Sequence, residues 1–413
     1  MATTITRPYG ESEGHMSTGG SRRPAERAQA QAPDSAPAGE GAGRPCAGEP
    51  EGAGGRREAA ARAGERAAAP AGREAARRRT ERRAGRIAAG ATELEHRLAD
   101  LLRGGLADME RSAGEAGRGV WEETAARMVD AQAPGLAARV RELAGVPGSG
   151  PGWPSRMLEE CALLHLLGQG FVNIGGLPEP LAATVRSRVG ITTRAAEVLA
   201  DRDAVVRDHW LVLGRHDTEE GRVAARRVWL YGRRTGRTAL VLSFAAGGLP
   251  EPPLPVGGSV DADLAYYPGA PALRAALGER HAAPGPGGRP PGAGVHDALD
   301  SYGAALCGDP WLEGWPAVLA GVVPAPAGEG WQLADEGGSA LPVAEAAGVR
   351  SRMWRLAAVS GGEPVTVFGE CGHRGFVPYT VWPGAGSAPE AVPGSESAAA
   401  VPLTSPDVPG GPR

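Results

Sequence analysis

Apolar residues recur every three or four positions along the first half of this chain, and every second position or continuously along much of the second half. The change falls near Arg207–Ala246, RDHWLVLGRHDTEEGRVAARRVWLYGRRTGRTALVLSFAA. Three strands are predicted there: Trp210–Arg215, Val223–Tyr231 and Thr238–Phe244. The polar turns His216–Gly221 and Gly232–Gly236 divide them. Turns this short force antiparallel neighbours, so the stretch reads as a β-meander. In the middle strand Val228 and Leu230 alternate with Arg227, Trp229 and Tyr231, as in a sheet with one wetter face. ALVLSF is almost wholly apolar and suits a buried position.

Upstream, the three-to-four spacing predicts helices. Arg73–Arg86 (REAARRRTERRAGR) leads into a helix carrying Ile87, Leu94, Leu98, Leu101 and Leu102, which Gly104–Gly105 weakens. A second helix, Val120–Gln132, places Trp121, Ala125, Met128 and Val129 on one side. Pro134 opens a third, to about Ala144, with Leu136, Val140 and Leu143 inward. Ser155 caps a fourth through Leu167, whose stripe is Met157, Leu158, Cys161, Leu164 and Leu167. Shorter helices follow at Leu181–Arg188 and Thr193–Leu199, the latter capped by Thr192.

Downstream of the meander the pattern predicts a strand at Val260–Tyr266, a turn at Pro268–Gly269 and a helix over Pro271–Gly278. After the Pro/Gly-rich linker His281–Gly294 come the helix HDALDSYGAAL and a turn at Trp311–Trp315. Strands are then expected at Ala317–Val323, Gly330–Asp335, Ala340–Val343, Trp354–Ser360, Pro364–Gly369 and Gly375–Trp382. Short strands with Gly-rich turns at this density suggest a small barrel or curled sheet. The fold class is therefore α+β: an N-terminal helical block, an antiparallel β-meander and a second small β-rich, barrel-like unit, with disordered termini. The expected boundaries are 1–72 disordered, 73–205 basic helix and helical block, 206–280 meander with strand and helix, 281–294 linker, 295–383 β-rich unit and 384–413 disordered tail.

Composition explains the ends. The chain has 64 Gly and 37 Pro, concentrated at the termini and between Gly247 and Gly294. Up to Gly72 the only large apolar residues are Ile5, Tyr9 and Met16, too few to offset the entropy of ordering. GESEG (Gly10–Gly14) spells a nucleophile elbow, but lacks the strand before it and the helix after it that the motif requires. The chain contains no lysine. That excludes Schiff-base and P-loop chemistry, both of which need the Lys amine. The net charge of −4 hides an asymmetry, since the first 90 residues are basic on balance and the remainder acidic. Cys46, Cys161, Cys307 and Cys371 lie far apart, as in a reducing compartment. No apolar leader or 18-residue apolar run occurs, so a cytoplasmic protein without a membrane role is expected.

Candidate chemistry is sparse. Cys371-Gly372-His373 offers one thiolate and one imidazole, which cannot fill a four-ligand zinc site. A reactive Cys371 with His373 as base has nothing nearby to lower the thiol pKa. Asp261 and Asp263 share a strand face and read as a solvated pair before they read as a metal or acid–base site. His216-Asp217 and His296-Asp297 are adjacent in sequence, poor geometry for a triad, and fit a turn and a helix start. His165 reads as a hydrogen-bonded histidine of the helical core. The basic helix stands out: Arg56–Arg86 holds eleven Arg against four Glu. Arg73/Arg77, Arg78/Arg82 and Arg79/Arg83 place like charges one turn apart, an arrangement a polyanion would relieve. Arg73, Arg77, Arg78, Arg82, Arg83 and Arg86 are the candidate nucleic-acid contacts; a solvated helix is the plain alternative.

The stretches EAARRRTERRAGR, ARMVDAQAPGLAARVRELAG, LPEPLAATVRSRVG, RRVWLYGRRTGRTALVLSFA, VDADLAYYPGA, DPWLEGWP and WRLAAVSGGEPVTVFGE occur in one order. Through them the chain, from about Arg56 to Trp382, resembles the actinobacterial SWIM zinc finger family, in its C-terminal region. The family's C-x-C…C-x-H site implies zinc, and would precede the basic helix. Only Cys46 and His15 lie there, so no ligand carries over and no cofactor is expected. The resemblance implies nucleic acid, MoxR-type AAA ATPases and von Willebrand A-domain proteins as partners. The expectation is a non-enzymatic interaction or scaffold protein. The alternative is an enzyme with a cleft between helical block and meander. Clustering of Asp261, Asp263, His165 and His216 would favour the enzyme, and scatter the scaffold.

Overall fold

The computed structural model describes residues 54–106, 115–220, 223–246, 254–384 and 399–404. Expectations for residues 1–53, including GESEG and Cys46, lie outside the described residues, as does the side chain of Arg73. The chain divides into two compact units, Met1–Pro70 and Ala71–Arg413. Helix α1 (Gly54–Gly104) begins in the first; every other described element belongs to the second. The helix therefore starts well before the Arg73 expected for it, through an Ala/Arg/Glu-rich segment of high helix propensity.

A helical bundle forms from the second half of α1 with α2 (Glu115–Asp130), α3 (Pro134–Leu143), α4 (Trp153–Val172) and α5 (Glu179–Val189). Ile87, Ala91, Leu94 and Leu98 give α1 one buried stripe. It packs with Met128, Leu136, Val140, Met157, Leu164 and Phe171 in a single core. Gly135 lets α3 meet the end of α5, since a Cβ there would sit 2.0 Å from the Arg188 carbonyl oxygen. The expected stripes shift at their edges: Val129 and Leu158 are about half exposed. Neither expected cap is used. Trp153 opens α4 behind Gly152, and α6 (Ala195–Ala200) starts behind Arg194.

The first β unit closes into a barrel. Its strands are β1 (Val205–Glu220), β2 (Val223–Gly232), β3 (Thr238–Ala246), β4 (Gly258–Tyr266), β5 (Arg274–Arg280) and the short β6 (Gly285–Pro286). The order is β1-β2-β3-β5-β4-β6, and β1 also pairs with β4. β1 runs through His216–Glu220, which was expected to be a turn, because Arg226 of β2 neutralises Asp217 at 2.8 Å. The expected helix over Pro271–Gly278 is instead β5. Its Leu240↔Arg274 and Val241↔Ala275 pairs with β3 are parallel, and closing the barrel overrides the helix propensity of an Ala-rich segment. Trp210, Val212, Val228, Leu230, Val241 and Leu264 fill the interior. The Trp210 indole N–H donates to the Ala262 carbonyl at 2.9 Å. Asp208 fixes the β2–β3 turn by accepting from Thr235 N–H and O–H at 2.9 and 2.8 Å. Burial alone would raise its carboxyl pKa, but those donors and Arg234 N–H hold it below the ordinary value.

The second β unit contains α7 (Val295–Gly308), β7 (Trp315–Ala327), β8 (Gly330–Ala334), β9 (Ala340–Pro342), α8 (Val349–Ser360), β10 (Val365–Gly372), β11 (Gly375–Trp382) and β12 (Val401–Pro402). The order is β12-β11-β10-β7-β8-β9, and the sheet curls until Val343 bridges Phe376 of β11. The expected strand Trp354–Ser360 is the end of α8, whose buried Val349, Met353, Leu356 and Ser360 recur at helical spacing. Residues 281–294 are more than a linker: β6 pairs with β4, and Ala293 bridges Leu319.

Two junctions fix the blocks. Trp311 inserts into the bundle core, and its indole N–H donates to the Leu163 carbonyl at 2.9 Å. Arg188 of α5 grips Asp309 with two nitrogens, at 3.0 and 2.5 Å, and Asp309 accepts the Trp311 N–H at 3.2 Å. Between the barrels, Leu211, Leu213 and Trp229 meet Phe368, Tyr379 and Trp382. Gly214 lies against Phe368, whose ring a Cβ would approach to 2.7 Å. Trp229, expected on a wetter face, is thus fully buried.

The tail expected to be free from residue 384 returns at residues 399–404. Thr380↔Pro402 and Val381↔Val401 pair β12 with β11, and Leu403 is buried. A chain ending at residue 398 should lose about 2 kcal/mol, the worth of one buried leucine. Urea denaturation checks this; an unchanged midpoint would show that β12 is dispensable.

Candidate functional site

The arginines of α1 divide into two groups. Arg77 and Arg78 face solvent and pair with Glu81 and Glu74 at 2.8 and 3.0 Å, so carboxylates separate the like charges. Arg82 is exposed. Arg83 donates to the Gly190 carbonyl at 3.2 Å, and Arg86 to the Gln132 side chain at 2.6 Å. These two hold α1 to the bundle.

The four residues set as the enzyme's signature do not meet. Asp261 accepts two bonds from Arg207, at 2.9 and 2.6 Å, and this guanidinium keeps its carboxyl below the usual range. Asp263 lies 3.0 Å from His281. His165 is largely exposed rather than in the core, because it sits on the flank of α4, where it meets Glu95 at 2.7 Å. The His216 ring packs 5.6 Å from Tyr379. His296 lies 3.6 Å from Asp300 on an exposed helix face. Cys371 is buried and desolvation raises its thiol pKa, whereas His373 is exposed in the β10–β11 turn. Among the described residues no three His, Cys, Asp or Glu side chains gather as a metal ligand set.

A cleft of about 1030 Å³ does open between helical block, barrel and second sheet. The bundle contributes Arg139, Arg186, Arg188 and Thr192; the barrel contributes Arg227, Leu240, Leu242, Tyr267 and Arg274; the second sheet contributes Glu370, His373 and Arg374. Thr184 of α5 anchors the β4–β5 loop to the bundle, with its hydroxyl accepting the Ala270 N–H at 2.9 Å. Arg186 and Arg188 are neutralised by Glu179 and Asp309, at 2.8 and 2.5 Å. Arg274 lies 4.6 Å from the Tyr267 ring centroid, and its buried Nε has no hydrogen-bond partner.

At the cleft's inner end is a group the sequence reading missed. Glu370 accepts from the Tyr379 hydroxyl at 3.1 Å and faces Arg227 at 3.9 Å. Tyr379 stacks on Trp229 with centroids 4.7 Å apart. Burial pushes the Glu370 carboxyl pKa up, and outweighs Arg227 and Tyr379, which pull it down. The signal was present in VTVFGECG, where one carboxylate interrupts a strand that is otherwise apolar and small. It could be read only by supposing that both faces of β10 are covered.

Residues 82–189 match the model of the SWIM-associated four-helix bundle domain, in agreement with the resemblance to the C-terminal region of SWIM-family proteins. The matched span is the bundle from Arg82 of α1 to the end of α5. No curated protein and no solved structure matches the chain.

Glu370 has its pKa raised by folding, so the folded state binds its proton more tightly than the unfolded chain. Its ionisation therefore subtracts stability as pH rises from the unfolded value, near 4.5, through the folded value. Glu370→Gln should stabilise the protein at neutral pH, and the gain should vanish below about pH 4. Thermal melts across pH check this; a glutamine variant less stable at pH 7 than at pH 4, relative to the parent chain, contradicts it.

Proposed function

We propose that this chain is a non-enzymatic interaction protein built around a SWIM-associated helical bundle. Its partners, on this reading, are nucleic acid met by α1, and the MoxR-type ATPases and von Willebrand A-domain proteins that accompany the resembling family. The observation that carries it is the use of the ionisable side chains. Asp261 and Asp263 pair with Arg207 and His281 on one strand face, while His165 and Asp309 pair elsewhere with Glu95 and Arg188, and these contacts hold the fold. Exposed arginine is gathered on α1, at Arg77, Arg78 and Arg82, of which the first two share their charge with Glu81 and Glu74. Arg83 and Arg86 tie the helix down, so the exposed arginines are presented on a fixed rod.

Phosphate contacts release counterions and make binding steeply salt-dependent. Replacing Arg77, Arg78 and Arg82 with Gln keeps helix propensity and leaves the two anchoring arginines in place. The slope of log-affinity for duplex DNA against log-salt should become shallower by up to about 0.9 per arginine. Fluorescence anisotropy at several salt concentrations measures it; an unchanged slope removes nucleic acid from the partners of α1.

A further inference from the structure

The barrel order is β1-β2-β3-β5-β4, closed by β1 on β4, with β3 and β5 parallel. That is the connectivity of the OB barrel, a five-stranded Greek-key barrel. OB barrels take oligonucleotides or oligosaccharides on the face of strands 2 and 3, flanked by the β1–β2 and β4–β5 loops. A fold does not assign a function, so the side chains at that face must. Part of the face is closed here: Trp229 of β2 is buried under Phe368 and Tyr379. The rest is the wall of the cleft, where Arg227, Leu240, Leu242, Tyr267 and Arg274 are gathered.

We propose that this cleft binds single-stranded nucleic acid. Tyr267 and Arg274 provide a stacked aromatic–guanidinium pair, the surface on which unpaired bases stack without regard to sequence. Arg274 is enclosed at Nε but only half-buried as a residue, so the outer guanidinium nitrogens are the part a phosphate or base carbonyl would meet. At about 1030 Å³ the space reaches the upper limit for small-ligand pockets, roughly 300–1,000 Å³, and suits an extended ligand. The cleft is not uniformly basic. Glu179 and Asp309 are neutralised within it, while Glu142, Glu160 and Glu313 also line it. Stacking on Tyr267 and apolar contact with the partly exposed Leu242 therefore carry the affinity, and binding is less salt-sensitive than contact through α1. The two surfaces adjoin, since Arg83 of α1 bonds Gly190, next to the cleft residue Ile191.

The test is fluorescence anisotropy with labelled oligothymidylate and oligouridylate on the full chain, at about 50 mM salt. Tyr267→Ala should weaken binding about 5- to 150-fold, the span of one lost base–aromatic stack, while Tyr267→Phe retains it. Arg274→Gln should weaken it as well, and the Arg77/Arg78/Arg82→Gln variant should leave it unchanged. No binding of either oligomer overturns the proposal. So does binding lost only in the α1 variant, or equal affinity for a duplex once the α1 arginines have been replaced. Displacement by polyglutamate at equal charge would overturn it in favour of an acidic protein segment. Should Tyr267→Ala fail to fold, photo-crosslinking of the parent chain with a 4-thiothymidine oligomer decides. Crosslinks within residues 267–274 support the site, and crosslinks confined to α1 overturn it.

Discussion

The placing of the three structural blocks depends on Trp311. It enters the bundle core from the turn before β7, although by sequence it belongs to the second β unit. A core tryptophan is worth roughly 3–5 kcal/mol against alanine, whereas a buried ion pair roughly breaks even once desolvation is counted. The Arg188–Asp309 pair beside it therefore sets direction more than strength. Its bidentate geometry, together with the Asp309 bond to the Trp311 N–H, aims the indole at Leu163.

The second constraint follows from the first. With the bundle held against the 309–312 turn and Thr184 held against the β4–β5 loop, the two β units pack on each other at the Trp229 end of their shared face. The far end stays open as the cleft. Burial of Trp229 and Tyr379 then desolvates Glu370, so one packing interface accounts for both the closed part of the barrel face and the raised carboxyl of Glu370 opposite it.

Much of this was legible in the residues. The α1 stripe at Ile87, Leu94 and Leu98, the Pro134 helix start and the meander strands all rest on local period. The α+β class and the helical block followed from them, whereas the family resemblance rested on stretches such as EAARRRTERRAGR and LPEPLAATVRSRVG. What was not legible depends on distant partners. Arg274–Leu277 has the composition of a helix and becomes a strand because β3 and β4 leave a gap that only it fills. Trp354 looked like a strand residue because its helix buries Met353 and Leu356 and leaves Trp354 exposed. Trp229 and Glu370 alternate with apolar neighbours as solvent-facing residues do, and only the docking of a second sheet buries them. Among the α1 arginines, nothing in the sequence separates Arg82, which faces water, from Arg83, which bonds Gly190.

β12 gives the second sheet a particular order of assembly. Its partner β11 ends at Trp382, but the strand that pairs with Thr380 and Val381 begins only at Val401. During synthesis the backbone of β11 is therefore an open edge while the intervening residues emerge, and an open edge is a template for pairing with another chain. β12 is short and proline-bearing, and β11 carries Pro378 within it; both features blunt such an edge. β12 thus acts as a built-in guard strand, covering a sticky edge that every nascent copy must pass through.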